Sequence, residues 1–173
     1  MITILMPTKD SPFDVYKKLL FYEKFKLNGE ILIGDSSSEY NFKILNKLLD
    51  NYKFNIDFSH LSFPSLSEAK TTKKLIELSK YDYLVWSGDD DFLIPNTLLK
   101  CVNFLKVNKN FKSVHGKGIA LLVEKDKIKY SWKYEQPYFE ADDPQVRLEQ
   151  YFKNSGDTHY SVHRKDVIKR MYS

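Results

Sequence analysis

The chain has 173 residues, a formal net charge of +4 and an aromatic content of 15%. This length fits one domain whose folding buries roughly two-thirds of the surface that the unfolded chain exposes. A single cysteine excludes an internal disulfide framework, and no run approaches the roughly 20 apolar residues that cross a bilayer. The basic residues are not interleaved with aromatic ones in an RNA-binding pattern, which argues against nucleic acid as a partner. We therefore expect a cytoplasmic protein.

The first two-thirds of the chain alternate short apolar runs with amphipathic periodicity. Strands are predicted at 2–6, where Pro7 ends the apolar run so that the strand stops at Pro7-Thr8, and at 30–35, 54–58 and 83–86. Helices are predicted at 13–25, 44–52, 67–80 and 95–107. Strands that alternate with helices of this length are typical of βαβ units and a mostly parallel sheet. Cys101 lies in the last of these helices and is interpreted as a buried small hydrophobe.

The alternation stops near residue 112. A short strand is predicted at 112–116, followed by a β-hairpin in which strands 119–123 and 128–134 flank the polar turn 124–127. Asp143-Pro144 opens a helix that ends near 154–156, and a short strand at 158–162 precedes a last helix at 166–172. No repeat or Gly-rich linker divides the chain, so we expect one α/β domain over residues 1–173.

Three consecutive carboxylates, Asp89, Asp90 and Asp91, follow the apolar run at 83–86 and Gly88. Because that run is predicted to be a buried strand, the acids must lie at its carboxyl end, where open α/β sheets have their ligand crevices. Adjacent carboxylates repel one another unless a cation lies among them, and a hard divalent ion with oxygen ligands neutralises them directly. The alternative is a solvated loop that caps the next helix. The position favours a metal site.

Four segments in a set order carry a resemblance to a known family. They are the strand that ends in Pro7-Thr8, the strand that ends in Asp35 and three serines, the Ser-x-Ala-Lys segment at 67–70, and the strand that ends in three aspartates. Together they resemble the inverting family 2 glycosyltransferases of the GT-A fold, over about the first 118 residues. The resemblance implies a Rossmann-like, mostly parallel sheet with flanking helices, a nucleotide-sugar-binding half at 1–118 and an acceptor-side half at 119–173.

The resemblance also implies roles for the residues of the nucleotide-binding half. Thr8 and Asp35 would contact the nucleoside, and a carboxylate can accept hydrogen bonds from a uracil N–H or from ribose hydroxyls. Lys70 would contact the base or the phosphates. Two alternatives stay open, since Asp35 in Asp-Ser-Ser-Ser could form an Asx-turn or a helix cap, and Lys70 could belong to a solvated helix face.

For the acidic run, the resemblance implies that Asp89 and Asp90 lie against the nucleotide and that Asp91, with Asp89, binds Mn²⁺ or Mg²⁺. The ion would neutralise the diphosphate as the nucleotide leaves. Inversion needs one general base. Asp157 is the preferred candidate because its loop setting suits an active site, and the other candidates are Glu140, Asp142 and Asp143.

The expected reaction is therefore sugar transfer from a nucleoside-diphosphate donor, with a UDP-sugar favoured, to a glycan or lipid-linked hydroxyl. Peripheral contact with the membrane would fit such an acceptor. Two alternatives remain. A nucleotidyltransferase has a related sheet but generally carries a Gly-rich first loop, and residues 7–11 contain no glycine. A non-catalytic nucleotide-sugar-binding module would keep the fold without turnover.

Overall fold

The computed structural model describes residues 1–125, 127–134, 137–154 and 159–172, which form two compact units. The first unit comprises Met1–Val114 and His159–Ser173, and the second comprises His115–Thr158. In chain order the elements are β1 (Ile2–Thr8), α1 (Pro12–Lys24), β2 (Gly29–Asp35), α2 (Glu39–Asp50), β3 (Asp57–Ser62), α3 (Glu68–Leu78), β4 (Tyr83–Trp86), α4 (Pro95–Val107), β5 (Ser113–Val114), β6 (Gly118–Glu124), β7 (Lys127–Tyr134), α5 (Pro144–Asn154), β8 (Val162–Arg164) and α6 (Lys165–Met171).

The first unit is built on a six-stranded sheet in the order β3-β2-β1-β4-β8-β5. Strand β1 is parallel to β2 and β4, and β2 is parallel to β3, whereas β8 runs antiparallel to both β4 and β5. All seven residues of β1 are buried, as expected for a central strand covered on both faces. The predicted mostly parallel α/β sheet is confirmed, and the carboxyl ends of β1, β2 and β4 meet at one edge.

Helices cover both faces of this sheet. One face packs against α1, α2 and α4, in a core that contains Ile4 and Met6 of β1. The other face packs against α3 and α6, in a smaller core that contains Leu5 of the same strand. This alternation of side chains along β1 is the two-residue period of a strand with apolar layers on both sides. Cys101 is buried in the larger core, which confirms its interpretation as a structural residue.

Two strands lie later in the chain than predicted. The run at 54–58 was expected to be a strand, but β3 begins at Asp57, because the N–H groups of Asn55 and Ile56 donate to the carboxylate of Glu23 at 2.8 and 3.1 Å. Phe54 and Ile56 nevertheless pack against the larger core, and this packing explains their apolar alternation. The strand predicted at 158–162 is β8, Val162–Arg164.

The second unit contains the predicted hairpin and helix. Strands β6 and β7 pair antiparallel around the turn, with a register irregularity at Leu122/Val123. Helix α5 begins after Asp143, whose carboxylate accepts the N–H of Gln145 at 2.7 Å, so this acid caps the helix. Residues 159–172 return to the first unit. The acceptor-side role expected for residues 119–173 stays a prediction. No helix in the described ranges is long and apolar enough to span a membrane.

Candidate functional site

The carboxyl ends of β1 and β4 are joined by a side-chain hydrogen bond. Thr8 Oγ1 donates to Asp89 Oδ2 at 2.6 Å, across 81 positions of sequence. The backbone continues the connection on both sides of β1, because Ser36 N donates to Thr8 O and Ser87 N donates to Leu5 O, each at 2.9 Å. The structure therefore brings two of the predicted site residues, Thr8 and Asp89, into direct contact at the sheet edge.

An open cavity of about 400 Å³ lies at this edge, within the first unit. Its size is in the range of roughly 300 to 1,000 Å³ that is usual for small-molecule sites. Strand ends, the loops that follow them and the start of α3 supply its lining, which consists of Pro7, Thr8, Lys9, Ser11, Ser36, Leu66, Glu68, Trp86, Gly88, Asp89 and Asp90. The lining includes the indole of Trp86 and the ammonium of Lys9, side chains that can contact a ring and an anionic group.

Asp10 links the loop after β1 to the loop after β2 through hydrogen bonds. Its carboxylate accepts hydrogen bonds from Ser38 N at 3.0 Å and Asn41 Nδ2 at 2.8 Å, and its own N–H donates to Ser37 Oγ at 2.7 Å. The hydrogen bond from Asn41 is the main reason that the pKa of Asp10 lies below its usual value. Asp10 has a φ of 57°, a left-handed conformation that Asp tolerates. These hydrogen bonds of Asp10 were not predicted from the sequence.

The three aspartates after Gly88 differ in exposure. Asp89 is half-buried, whereas Asp90 and Asp91 are exposed. A Cβ added at Gly88 would lie 3.2 Å from Asp90 Oδ1 and 3.6 Å from Asp91 Oδ2, so these two carboxylates converge over the glycine. The hydroxyl of Tyr160 donates to Asp91 Oδ2. Absence of a Cβ at this position leaves the space that both carboxylates use.

The donor set fits a hard divalent cation, but not as an all-protein cage. Within the described part of the chain, no group of three or more His, Cys, Asp or Glu side chains is arranged to hold a metal ion. Mg²⁺ commonly uses one or two carboxylates and completes its shell with substrate phosphates and waters. Three adjacent carboxylates, Asp89 to Asp91, at the edge of an open cavity can supply that number of ligands, so the residues fit a metal that arrives with a diphosphate.

Lys18 of α1 lies beneath this acidic run, and it was not among the predicted site residues. Lys18 is fully buried, and its Nζ donates to Ser87 Oγ at 2.6 Å and to the carbonyl of Gly88. Burial lowers its pKa to about 8, although the charges of the three aspartates oppose this shift. The spacing held a signal, since position 18 lies three residues after Val15 and four before Tyr22, both on the buried stripe.

The acid at the end of β2 is enclosed. Asp35 is 2% exposed, and its two carboxylate oxygens accept hydrogen bonds from Ser37 N and His60 Nε2, each at 2.8 Å. His60 in turn contacts Asn46 Oδ1 at 2.9 Å, and its ring stacks on Phe42 with 4.5 Å between centroids. Burial raises the pKa of Asp35, but the hydrogen bonds from His60 and Ser37 outweigh burial, so the pKa lies below its usual value.

The Ser37 hydrogen bond is the Asx-turn that the sequence left open as an alternative for Asp35. Asp35 does not line the cavity, whereas its neighbour Ser36 does. His60 was not singled out from the sequence, because a lone histidine in an alternating strand gives no sign of the acid that it will contact.

The remaining predicted site residues are not brought to the cavity. Lys70 is exposed on α3 and does not line the cavity, whereas Glu68, two residues earlier, does. Asp157, the preferred general base, lies outside the described residues. Trp86, expected to pack in the core, is half-buried at the cavity and packs edge-on against His159 with 5.0 Å between ring centroids.

No protein-family model and no curated protein matches this chain. Solved structures do match. Residues 1–349 of TarS from S. aureus, in complex with UDP-GlcNAc, align over 98% of this chain and 47% of that one, at 14% identity and a TM-score of 0.56. The mannosyltransferase PcManGT from Pyrobaculum calidifontis, in complex with GDP-Man and Mn²⁺, aligns over 98% and 46% at 11% identity and a TM-score of 0.59.

A nucleotide-using synthetase has the same fold. The CMP:2-keto-3-deoxy-manno-octonic acid synthetase complexed with CTP aligns over 98% of this chain and 76% of that one, at 9% identity and a TM-score of 0.52. Identities this low show the fold alone. The GT-A fold implied by the sequence resemblance is therefore confirmed, and this chain spans less than half the length of the two transferase structures.

Proposed function

We propose that this GT-A chain binds a nucleoside-diphosphate sugar at the edge where β1 and β4 end and transfers the sugar, with inversion, to a glycan or lipid-linked hydroxyl. The observation that carries the proposal is the hydrogen bond from Thr8 to Asp89 at the cavity, because it joins two strand ends beside an acidic run. Solved structures of the same fold hold UDP-GlcNAc and GDP-Man, which supports a nucleotide-sugar donor. A UDP-sugar is the first donor to test.

The lining of the cavity suggests how the donor would bind. Thr8 and Asp89 would contact the nucleoside side of the donor, and Asp90 offers an exposed carboxylate to ribose hydroxyls. Lys9, exposed at the cavity, is placed to pair with a phosphate. Lys70, exposed on α3, would contact the base or the phosphates.

Asp91 and Asp89 would hold Mn²⁺ or Mg²⁺ together with the diphosphate. When bound, the ion supplies positive charge where negative charge develops on the leaving nucleotide. Mn²⁺ accompanies GDP-Man in the mannosyltransferase structure, which supports metal use by this fold. The Tyr160 hydroxyl restrains Asp91 and would orient its carboxylate for that contact.

Transfer with inversion requires the acceptor hydroxyl to attack the anomeric carbon from the side opposite the diphosphate. The new carbon–oxygen bond forms as the bond to the diphosphate oxygen breaks, and the hydroxyl proton passes to a general base. Asp157 is proposed as this base. We expect Asp157→Asn to abolish transfer while donor affinity stays within about twofold, measured by product formation and by nucleotide titration. Unchanged turnover would refute the assignment.

The test of donor binding is thermal unfolding of the full chain with UDP, GDP, CDP and ADP, each with Mn²⁺ and with EDTA. A ligand at about 100 times its dissociation constant stabilises by roughly 2.7 kcal/mol, which raises the midpoint by about 5 to 10 °C at this size. We expect one diphosphate to shift the midpoint with metal only. If no diphosphate does so, the donor site is refuted.

Two alternatives have distinct outcomes in the same experiment. A nucleotidyltransferase, favoured by the coverage of 76% on the synthetase structure, would be stabilised most by a nucleoside triphosphate and would release pyrophosphate with a sugar or sugar phosphate. A non-catalytic module would bind a diphosphate tightly but show neither transfer nor slow donor hydrolysis.

Cytoplasmic location and peripheral membrane contact complete the proposal and would be checked by cell fractionation.

A further inference from the structure

We propose that Lys18 and Tyr22, one turn apart on α1, are positioning residues that hold the acidic loop, residues 87–93, ready for ligand before a metal or donor arrives. The use of this loop in donor binding rests on the function proposed above, whereas its support by α1 is a matter of geometry. Neither residue is part of the cavity lining, and both are fully buried.

Lys18 supports the start of the acidic loop from beneath. Its ammonium donates to Ser87 Oγ at 2.6 Å and to the carbonyl of Gly88, while Ser87 N donates to Leu5 O at 2.9 Å. A buried ammonium is tolerated only when polar partners replace the water that it loses. The start of the loop is therefore tied to the central strand by its backbone and to α1 by a charged hydrogen bond, which is stronger than a neutral one.

Tyr22 supports the end of the same loop. Its hydroxyl accepts the N–H of Leu93 at 3.4 Å, and burial of the ring raises the pKa of the phenol, which keeps it neutral. The adjacent Phe21 packs on Phe92 with 4.9 Å between ring centroids. Contacts from one helix thus hold both ends of the loop, and the three aspartates lie between them.

The charge of Lys18 has a second consequence. The three aspartates attract this ammonium electrostatically and so favour its charged form. Its described hydrogen bonds go to Ser87 and Gly88, so this ammonium does not occupy the carboxylates of Asp90 and Asp91. A cation placed in this way offsets part of the repulsion among adjacent carboxylates without occupying them. The loop can then be ordered in the metal-free protein.

Variants at position 18 separate the hydrogen bonds from the charge. Lys18→Met removes both and leaves the Gly88 carbonyl without its donor. Lys18→Gln removes the charge but keeps an amide that can donate. Lys17→Met is the matched control, because Lys17 is the neighbouring lysine on the same helix, is exposed and forms a surface ion pair with Asp14 at 3.1 Å.

The experiment measures hydrogen exchange of a peptide spanning residues 84–94 in EDTA, and the Mn²⁺ concentration that gives half-maximal UDP binding. Loss of a hydrogen bond to a charged group is typically about 1.5 to 3 kcal/mol, so Lys18→Met should accelerate exchange at least about tenfold and raise the Mn²⁺ requirement similarly. Lys18→Gln, which keeps a donor but not the charge, should recover only part of both effects, and Lys17→Met should match the wild type. A packing defect alone would lower the unfolding midpoint without changing the Mn²⁺ requirement.

Wild-type exchange and Mn²⁺ requirement in folded Lys18→Met would overturn the proposal, as would an equal effect of Lys17→Met. If Lys18→Met does not fold, Tyr22→Phe tests the proposal instead, because this substitution removes only the hydroxyl that accepts the Leu93 N–H. Unchanged hydrogen exchange at Leu93 in that variant would contradict the proposal. If the wild type binds no nucleoside diphosphate, the proposed function fails, and the exchange measurements in EDTA still test the support of the loop.

Discussion

Two strands of the central sheet lead into aspartates, since β2 ends in Asp35 and β4 ends at Trp86 shortly before Asp89, and these acids have opposite environments. Asp35 is paired in register with Thr8 on one side and with Ser62 on the other, so it lies inside the hydrogen-bonded ladder. The last paired residue of β4 against β1 is Trp86, and Asp89 to Asp91 lie beyond it. An acid inside the ladder is enclosed and must find a partner, here His60, whereas acids beyond the ladder stay open to a ligand.

The difference teaches that an apolar run followed by Gly and Asp does not by itself mark a ligand site. Whether such an acid is enclosed or exposed depends on how far the neighbouring strands extend beside it. Strand β3 extends to Ser62 and brings His60 to Asp35, but β8 pairs with β4 only between Tyr83 and Val85. In the described part of the chain, pairing of β4 with β8 stops at Val85, and after Trp86 the chain turns into the acidic loop.

The largest expected effect is a loss of stability when Asp35, the enclosed acid at the end of β2, loses its partner. His60→Ala leaves the buried carboxylate of Asp35 without its side-chain hydrogen-bond partner, and a buried charge that loses its partner should cost about 3 to 5 kcal/mol. We expect the unfolding midpoint to fall by roughly 6 to 20 °C at this chain length. Asp57→Asn, which removes an exposed acid of the same strand paired with Lys80 at 3.0 Å, should change stability by less than about 1 kcal/mol. Equal effects of the two variants would erase the distinction between closed and open acids.

Substitution of an exposed aspartate after β4 should change ligand binding but not the stability of the ligand-free protein. Asp91→Ala should abolish the metal-dependent shift of about 2.7 kcal/mol given by the bound diphosphate. Without ligand, this variant should unfold within about 0.5 kcal/mol of the wild type, because Asp91 is exposed. Differential scanning fluorimetry with Mn²⁺ and with EDTA measures both quantities. A retained shift would show that Asp91 is not part of a metal site.

The link between the two strand ends should have an intermediate effect. Thr8→Val keeps the shape of the side chain but removes the hydroxyl that donates to Asp89 at 2.6 Å. The loss of one hydrogen bond to a charged group predicts a decrease of about 1.5 to 3 kcal/mol in donor binding, and a smaller decrease in stability because Asp89 is half-exposed to water. Isothermal titration with UDP and Mn²⁺ checks the first value. Thr97→Val, at an exposed position of α4, is the matched control.

The smallest expected effect is that the stability contributed by Asp35 depends on pH in the acid range. The folded-state pKa of Asp35 lies below the value of 3.8 for an unperturbed carboxyl, so its stabilising contribution is complete above that value and is lost as pH falls through the folded-state pKa. The difference in urea midpoint between wild type and Asp35→Asn should therefore shrink as pH is lowered from about 6 to about 2. A constant difference across that range would contradict the assignment.

Much of the fold could be predicted from local pattern. Helix α4 begins and ends at the predicted residues, Pro95–Val107, because Pro suits the first turn and the apolar period is regular. The boundary of β3 could not be predicted, because Asn55 and Ile56 bond to Glu23, which lies 32 and 33 residues away. Apolar alternation reports burial, and burial at 54–56 comes from packing without strand pairing.

The candidate site divides in the same way. Thr8 and Asp89 were predicted because each follows a buried apolar run, which places polar side chains at a sheet edge. Lys18, His60 and Asp10 could not be assigned, because each gains its role from a partner 25 or more positions away. A sequence pattern carries the tendency of a residue to be buried but not the identity of its distant partners.

The amino-acid sequence alone determined the order of strands and helices, the parallel sheet and the placement of three carboxylates after a buried strand, because these depend on periodicity and on local chain geometry. The tertiary structure alone decided which acids are open. Asp35 is enclosed and Asp89 to Asp91 are accessible because of strand pairing and of a buried lysine supplied by α1. Such contacts join residues far apart in the chain, and only the folded backbone brings them together.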